Sequence, residues 1–196
     1  MRTFILRARK SSTSPSFDLN DLPNAGNMQI AAACVINALW VSNNVRQDTE
    51  IHVVLEGPPT PPRTVTFVGK DIQGLPFDER GVAWLVQKAL KKAFGIAKAD
   101  VKQVSPGITV SSSSFESLVK YHAEKGPVYY LHGKGKDIRE TDFAENVTFV
   151  FGDYIGMPAK SESFLENAGA ERLSIGPETL FASQCVTIVH NEMDRR

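Results

Sequence analysis

Apolar positions follow two rhythms in this chain, and the change between them falls near Pro127. Thr3 to Ala8 reads as a first strand, and Ser11 to Asn27, rich in Ser, Pro, Asn and Asp, reads as loop. An irregular connection of that length inside a compact domain is usually functional or mobile. From Met28 to Asn43 the residues Ala31, Cys34, Val35, Ala38 and Leu39 recur at helical spacing. Ile51 to Leu55 and Thr64 to Val68 read as an antiparallel strand pair around the proline-rich loop Gly57 to Pro62. Asp78 is placed to cap a helix whose stripe is Val82, Leu85, Val86, Ala89, Leu90 and Ala93. A further helix is predicted from Ser113, with Glu116 at capping-box spacing, up to Gly126-Pro127.

Beyond Pro127 the pattern shortens. Val128 to Leu131, Val147 to Phe151 and Arg172 to Ile175 are short runs read as buried strands. Each is followed by a glycine-bearing loop: His132-Gly133-Lys134-Gly135, Gly152 to Gly156, and Gly176-Pro177. Helices are predicted at Ser161 to Asn167 and from Glu178 to about Glu192. Strands buried on both faces and separated by helices imply an α/β fold with a mostly parallel sheet flanked by helices. In such sheets ligands bind beyond the carboxyl ends of the strands, which here carry all three glycine loops. The last helix, expected just after Gly176-Pro177, would present free N–H groups to an anion.

Composition changes this picture little. The 196 residues suit one α/β domain, and 42% hydrophobic with 22% charged residues is ordinary for a soluble protein. No apolar run reaches the ~18 residues of a membrane span, and the start lacks a secretory h-region, so the expected location is cytoplasmic. Cys34 and Cys185 are too few for a disulfide framework or a zinc site and read as reduced thiols. The formal net charge of zero argues against indiscriminate coating of nucleic acid. Basic residues nevertheless gather at Arg2, Arg7, Arg9 and Lys10, and at Lys134, Lys136 and Arg139.

Familiar catalytic signatures are missing. The Rossmann glycine pattern, the Walker loop, the serine elbow and metal-ligand helices are not found. His52, His122, His132 and His190 are scattered, and each alone reads as structural, so no metal is expected. From the residues alone, the chain is an α/β ligand-binding protein whose site lies in its C-terminal third.

The tail Leu173-Ser174-Ile175-Gly176-Pro177, followed by Leu180-Phe181-Ala182-Ser183-Gln184-Cys185 and on to Glu192, resembles the end of the archaeal tRNA pseudouridine-54 N1-methyltransferase family. That family is a branch of the SPOUT class and has bacterial relatives. Met1 to Phe4, the loop Phe17 to Pro23 and Asp78-Glu79-Arg80 resemble its start and middle. Asn27-Met28-Gln29 departs from it, standing where archaeal members usually carry a glycine-arginine stretch and an aspartate. Phe181 stands where many carry histidine.

The resemblance implies a deep trefoil knot in residues 128–196, within a single domain of residues 1–196, and a homodimer. It also implies S-adenosylmethionine as cofactor, held by Leu131, Gly152, Leu173, Ser174, Ile175, Gly176, Pro177, Glu178 and Cys185. The substrate implied is tRNA, methylated at N1 of a pseudouridine. That nitrogen carries a proton, for which Asp21 is the candidate acceptor. Arg9, Arg46 and Arg80 are the candidate phosphate contacts. Phe181, Ile188, Val189 and Met193 read as core or dimer contacts. A knotted methyltransferase with another RNA target, or an inactive dimeric RNA-binding relative, remains open from the sequence.

Overall fold

In the computed structural model, which describes residues 1–98 and 100–196, one eight-stranded sheet runs through the molecule. The elements are β1 (Arg2–Ala8), α1 (Met28–Leu39), β2 (Trp40–Val41), β3 (Asn44–Val45), β4 (Thr49–Leu55), β5 (Arg63–Val68) and α2 (Glu79–Lys92). There follow β6 (Val101–Ser105), β7 (Ile108–Ser111), α3 (Phe115–Ala123), β8 (Val128–Asp137), a 3-10 turn (Ile138–Glu140), β9 (Val147–Gly152), α4 (Ala159–Asn167), β10 (Glu171–Ser174) and α5 (Ala182–Met193).

The sheet order is β10-β8-β9-β1-β4-β5-β7-β6. The first five strands pair in parallel and the last three antiparallel. β1 lies near the centre, with helices over both its faces. Phe4, Leu6 and Ala8 pack toward α1, α2 and α5, whereas Ile5 packs toward α3 and α4. This double burial explains why Phe4, Ile5 and Leu6 follow one another without polar alternation.

Some boundaries differ from those the pattern predicts. α1 stops at Leu39, because Trp40 and Val41 turn into a hairpin with Asn44 and Val45 around Ser42 at positive φ. α3 is capped by Ser114 instead of Ser113, its hydroxyl accepting the Ser117 N–H at 3.1 Å. Four successive serines offer equivalent caps, and Glu116 turns toward Arg7 (3.4 Å) in place of closing a capping box. Asp78 caps α2 as expected, accepting the Gly81 N–H at 2.8 Å. The hairpin β6–β7 has no counterpart in the sequence reading. Val101 is exposed at the sheet edge, so little inward alternation marks that strand.

The glycine run after Leu131 also differs from a simple loop. β8 stays extended to Asp137, but its pairing with β10 jumps from Tyr130↔Arg172 to Lys136↔Leu173. Residues 131–135 therefore leave the ladder and return to it. At the return, a Cβ on Gly135 would stand 2.4 Å from the Leu173 nitrogen, so only glycine lets the two backbones meet there.

Candidate ligand cavity

The carboxyl ends of β9 and β10 and the released segment of β8 enclose a cavity of about 610 Å³. Three stretches form most of its wall: Leu131–Gly133, Phe151–Met157 and Ile175–Cys185, with Ile30 of α1 completing it. This is where a parallel sheet places ligands.

The floor is the turn from Gly152 to Gly156, and it is held by a buried carboxylate. Asp153 Oδ2 accepts the Arg9 backbone N–H at 2.9 Å, and Oδ1 accepts the Ile155 N–H at 3.0 Å. The Gly156 N–H closes the turn on the Asp153 carbonyl at 2.9 Å. A Cβ on Gly152 would lie 2.8 Å from the Gly156 carbonyl carbon, so the turn closes only over glycine. The opposite lip contains Gly176 at φ +143. No atom lies within 4 Å of a Cβ built there, so glycine serves backbone conformation at this position, not fit.

α5 begins at Ala182, not at Glu178. Ile175 to Phe181 form an extended lip around the cavity, and the helix starts where the Gln184 side chain accepts the Phe181 N–H at 3.0 Å. The free N–H groups of its first turn still open on the cavity, through Ala182 and Gln184, and favour an anionic group. Cys185 lies in the same wall. Burial raises its thiol pKa, which favours the neutral thiol over the thiolate.

Of the residues singled out from sequence, Leu131, Gly152, Ile175, Gly176, Pro177, Glu178 and Cys185 line this cavity. Leu173 is fully buried in the core beneath it. Ser174 is in the adjoining turn, its hydroxyl bonded to Gly176. Asp21 is not in the lining: its carboxylate accepts the Asn24 backbone N–H at 3.4 Å and side-chain N–H at 2.5 Å. Arg9 reaches the cavity floor through its backbone, Arg80 is exposed at the start of α2, and Arg46 is held by Asp194 at 2.5 and 3.0 Å.

Two members of the basic N-terminal cluster are neutralised within the fold. Arg2 pairs with Asp48 and Asp194, and Arg7 with Glu56 and Glu116. Asp153, Tyr154 and Ile155 were missed by sequence reasoning. Their only signal is their place between Gly152 and Gly156. Nor do the histidines all stay apart, since His52 and His122 meet.

Comparison with known proteins decides the family. The profile of a family described as "Putative SAM-dependent RNA methyltransferase" matches residues 1–196. The chain belongs to this family.

A tRNA (pseudouridine(54)-N(1))-methyltransferase of Methanocaldococcus jannaschii is 38% identical over 201 residues, covering all of this chain and 98% of the relative. A protein of Alcanivorax borkumensis named "Putative pseudouridine methyltransferase" is 42% identical over 198 residues, covering 99% and 98%. The crystal structure of Archaeoglobus fulgidus Nep1 bound to S-adenosylhomocysteine superposes with a TM-score of 0.64 over 98% of this chain and 97% of that one. At 14% identity it supports the fold alone. The methyltransferase thus has a SPOUT-type α/β fold, and its cofactor is S-adenosylmethionine. The cavity fits that cofactor: its volume is within the ~300–1,000 Å³ of small-molecule sites. Apolar side chains alternate with glycine backbone along its wall, and a helix N-terminus can meet a carboxylate.

Proposed function

We propose that the methyltransferase acts on N1 of a pseudouridine in tRNA, at position 54 of the T-loop. The observation that carries this reading is the likeness to an archaeal enzyme of that name over all of this chain and 98% of that one. The glycine-walled cavity, at the carboxyl ends of the parallel strands, supports it. Leu131, Gly152, Leu173 to Glu178 and Cys185 are the proposed cofactor contacts, with Leu173 and Ser174 supporting the lip from below. Residues 128–196 form the proposed trefoil knot in a single domain. The close passage of Gly135 against Leu173, and the Arg196 guanidinium bonded to the Thr141 and Ile138 carbonyls, support that threading.

The cofactor, when bound, supplies a methyl group on a sulfonium. The chain must align the base with it, exclude water and receive the N1 proton. Ile175 to Phe181 form one side of the cavity mouth, and Tyr154 and Ile155 line the floor; all are positioned to shield the reacting atoms. Asp21 is the proposed proton acceptor, on the loop that leads into the cavity wall at Ile30. Arg9, Arg46 and Arg80 are the proposed phosphate contacts, Arg46 by exchanging Asp194 for a phosphate. A homodimer is proposed because Phe181 is 70% exposed beside the cavity, an apolar side chain suited to a partner. Val189, by contrast, is spent on the chain's own core.

Mass spectrometry of tRNA nucleosides after incubation with cofactor, on transcripts with and without pseudouridine at position 54, tests the reading. Methylation confined to the pseudouridine transcript is expected. Equal methylation of both, or of neither, would overturn it. Asp21→Asn is expected to bind cofactor normally and transfer slowly. Full activity would move the role to Glu178, which lines the cavity.

A further inference from the structure

On the sheet face opposite α1 and α5, three ligand atoms converge. Glu50 and His52 stand two residues apart on β4, so their side chains leave the same face of the strand. α3 packs on that face and brings His122 to them. His122 Nε2 is 3.1 Å from His52 Nε2, and His52 Nε2 is 3.4 Å from Glu50 Oε1. All three atoms lie within 4.8 Å of one another, and among the described residues no other group of three His, Cys, Asp or Glu does so.

His52 Nδ1 is 2.8 Å from Thr66 Oγ1, and the Thr3 hydroxyl donates to Glu50 Oε1 at 3.0 Å. The geometry admits a tautomer in which Nδ1–H is given to Thr66 and His52 Nε2 is left as an acceptor facing a carboxylate oxygen. One shared N–H then serves electron pairs on all three residues. A cation at their centre would satisfy them together.

We propose that Glu50, His52 and His122 bind one divalent transition-metal ion, zinc above the others, at a site separate from the ligand cavity. Two imidazoles and a carboxylate are a nitrogen–oxygen set zinc accepts. Ligand atoms about 2.0–2.1 Å from a tetrahedral zinc stand roughly 3.3 Å apart, close to the 3.1 and 3.4 Å found here. Thr66 orients the His52 ring and Thr3 the carboxylate, the outer support that metal ligands usually have. The Glu50 side chain is 20% exposed, which leaves a path for the ion and a fourth position for water. The ion would staple the last turn of α3 to β4, stabilising the fold without entering methyl transfer.

The test uses the full-length protein, stripped with a chelator and dialysed against zinc. One zinc per chain is expected by elemental analysis, with the melting temperature rising by roughly 5–10 °C when zinc is a hundredfold above its Kd. His122→Gln and Glu50→Gln are each expected to weaken binding at least tenfold. No zinc retained by folded wild type would overturn the proposal, as would retention unchanged in both variants. If the variants fail to fold, cobalt substitution of the wild type decides. A four-coordinate nitrogen–oxygen spectrum supports the site, and a thiolate charge-transfer band would place the metal on cysteine and overturn it.

Discussion

The Asp153 carboxylate accepts the backbone N–H of Arg9 at 2.9 Å, tying the floor of the cofactor cavity to the end of the first strand. These residues are 144 positions apart in the chain, and the bond fixes the turn that carries Tyr154 and Ile155. Asp153→Ala leaves two backbone donors without their acceptor. It is expected to cost about 1–3 kcal/mol of stability, measured by urea denaturation, and at least tenfold in cofactor affinity by calorimetry. Unchanged affinity would show that the turn holds its shape without this carboxylate.

Two neighbouring glycines are expected to respond oppositely to alanine. A Cβ on Gly135 would meet the backbone of Arg172 and Leu173 at 2.4–2.6 Å, whereas a Cβ on Gly133 meets no atom within 4 Å. Backbone cannot step aside as a side chain can, so Gly135→Ala is expected to lose several kcal/mol or fail to fold. Gly133→Ala is expected to melt within about 2 °C of wild type, as an uncrowded substitution does. Equal melting temperatures would show that the two chain segments can part at Gly135.

Gly176→Ala probes conformation without crowding. With φ at +143 and open space around it, alanine is expected to cost about 1–3 kcal/mol through backbone strain. The lip is expected to relax by changing φ, so cofactor affinity falls more than stability does. Comparing calorimetric binding with thermal melting separates the two effects.

Stability is expected to depend on pH through His190. Its Nε2–H donates to the Ala38 carbonyl at 3.0 Å, and its Nδ1 accepts from Arg2 at 3.1 Å, which fixes the neutral tautomer. Burial, then the charge of Arg46, lowers its pKa to about 4. An unfolded histidine takes its proton near 6.5, so this contribution is complete above that pH and lost as pH falls toward 4. The expected loss is about 3 kcal/mol. His190→Asn is expected to flatten the fall of urea midpoints between pH 6.5 and 4; an identical slope would exclude His190 as its source.

The sequence by itself determined much of this molecule. Short, largely apolar runs at β8, β9 and β10 required strands covered on both faces, hence an α/β layering. The glycines after those strands marked where backbone would approach a ligand, and Asp78 announced α2 by local capping chemistry alone. Each is a short-range property, readable within a few residues. The tertiary structure decided what depends on distant partners. Register between β8 and β10 decided that residues 131–135 bow out as cavity wall. Packing of Asp194 on Arg2, and of Glu56 and Glu116 on Arg7, decided that half of a basic-looking N-terminal cluster is paired. Asp153 became the anchor of the site because Arg9 arrives beside it, and His52 met His122 because α3 crosses β4. No local pattern encodes these meetings, because hydrogen bonds and ion pairs depend on distance in space, and chain separation carries no record of it.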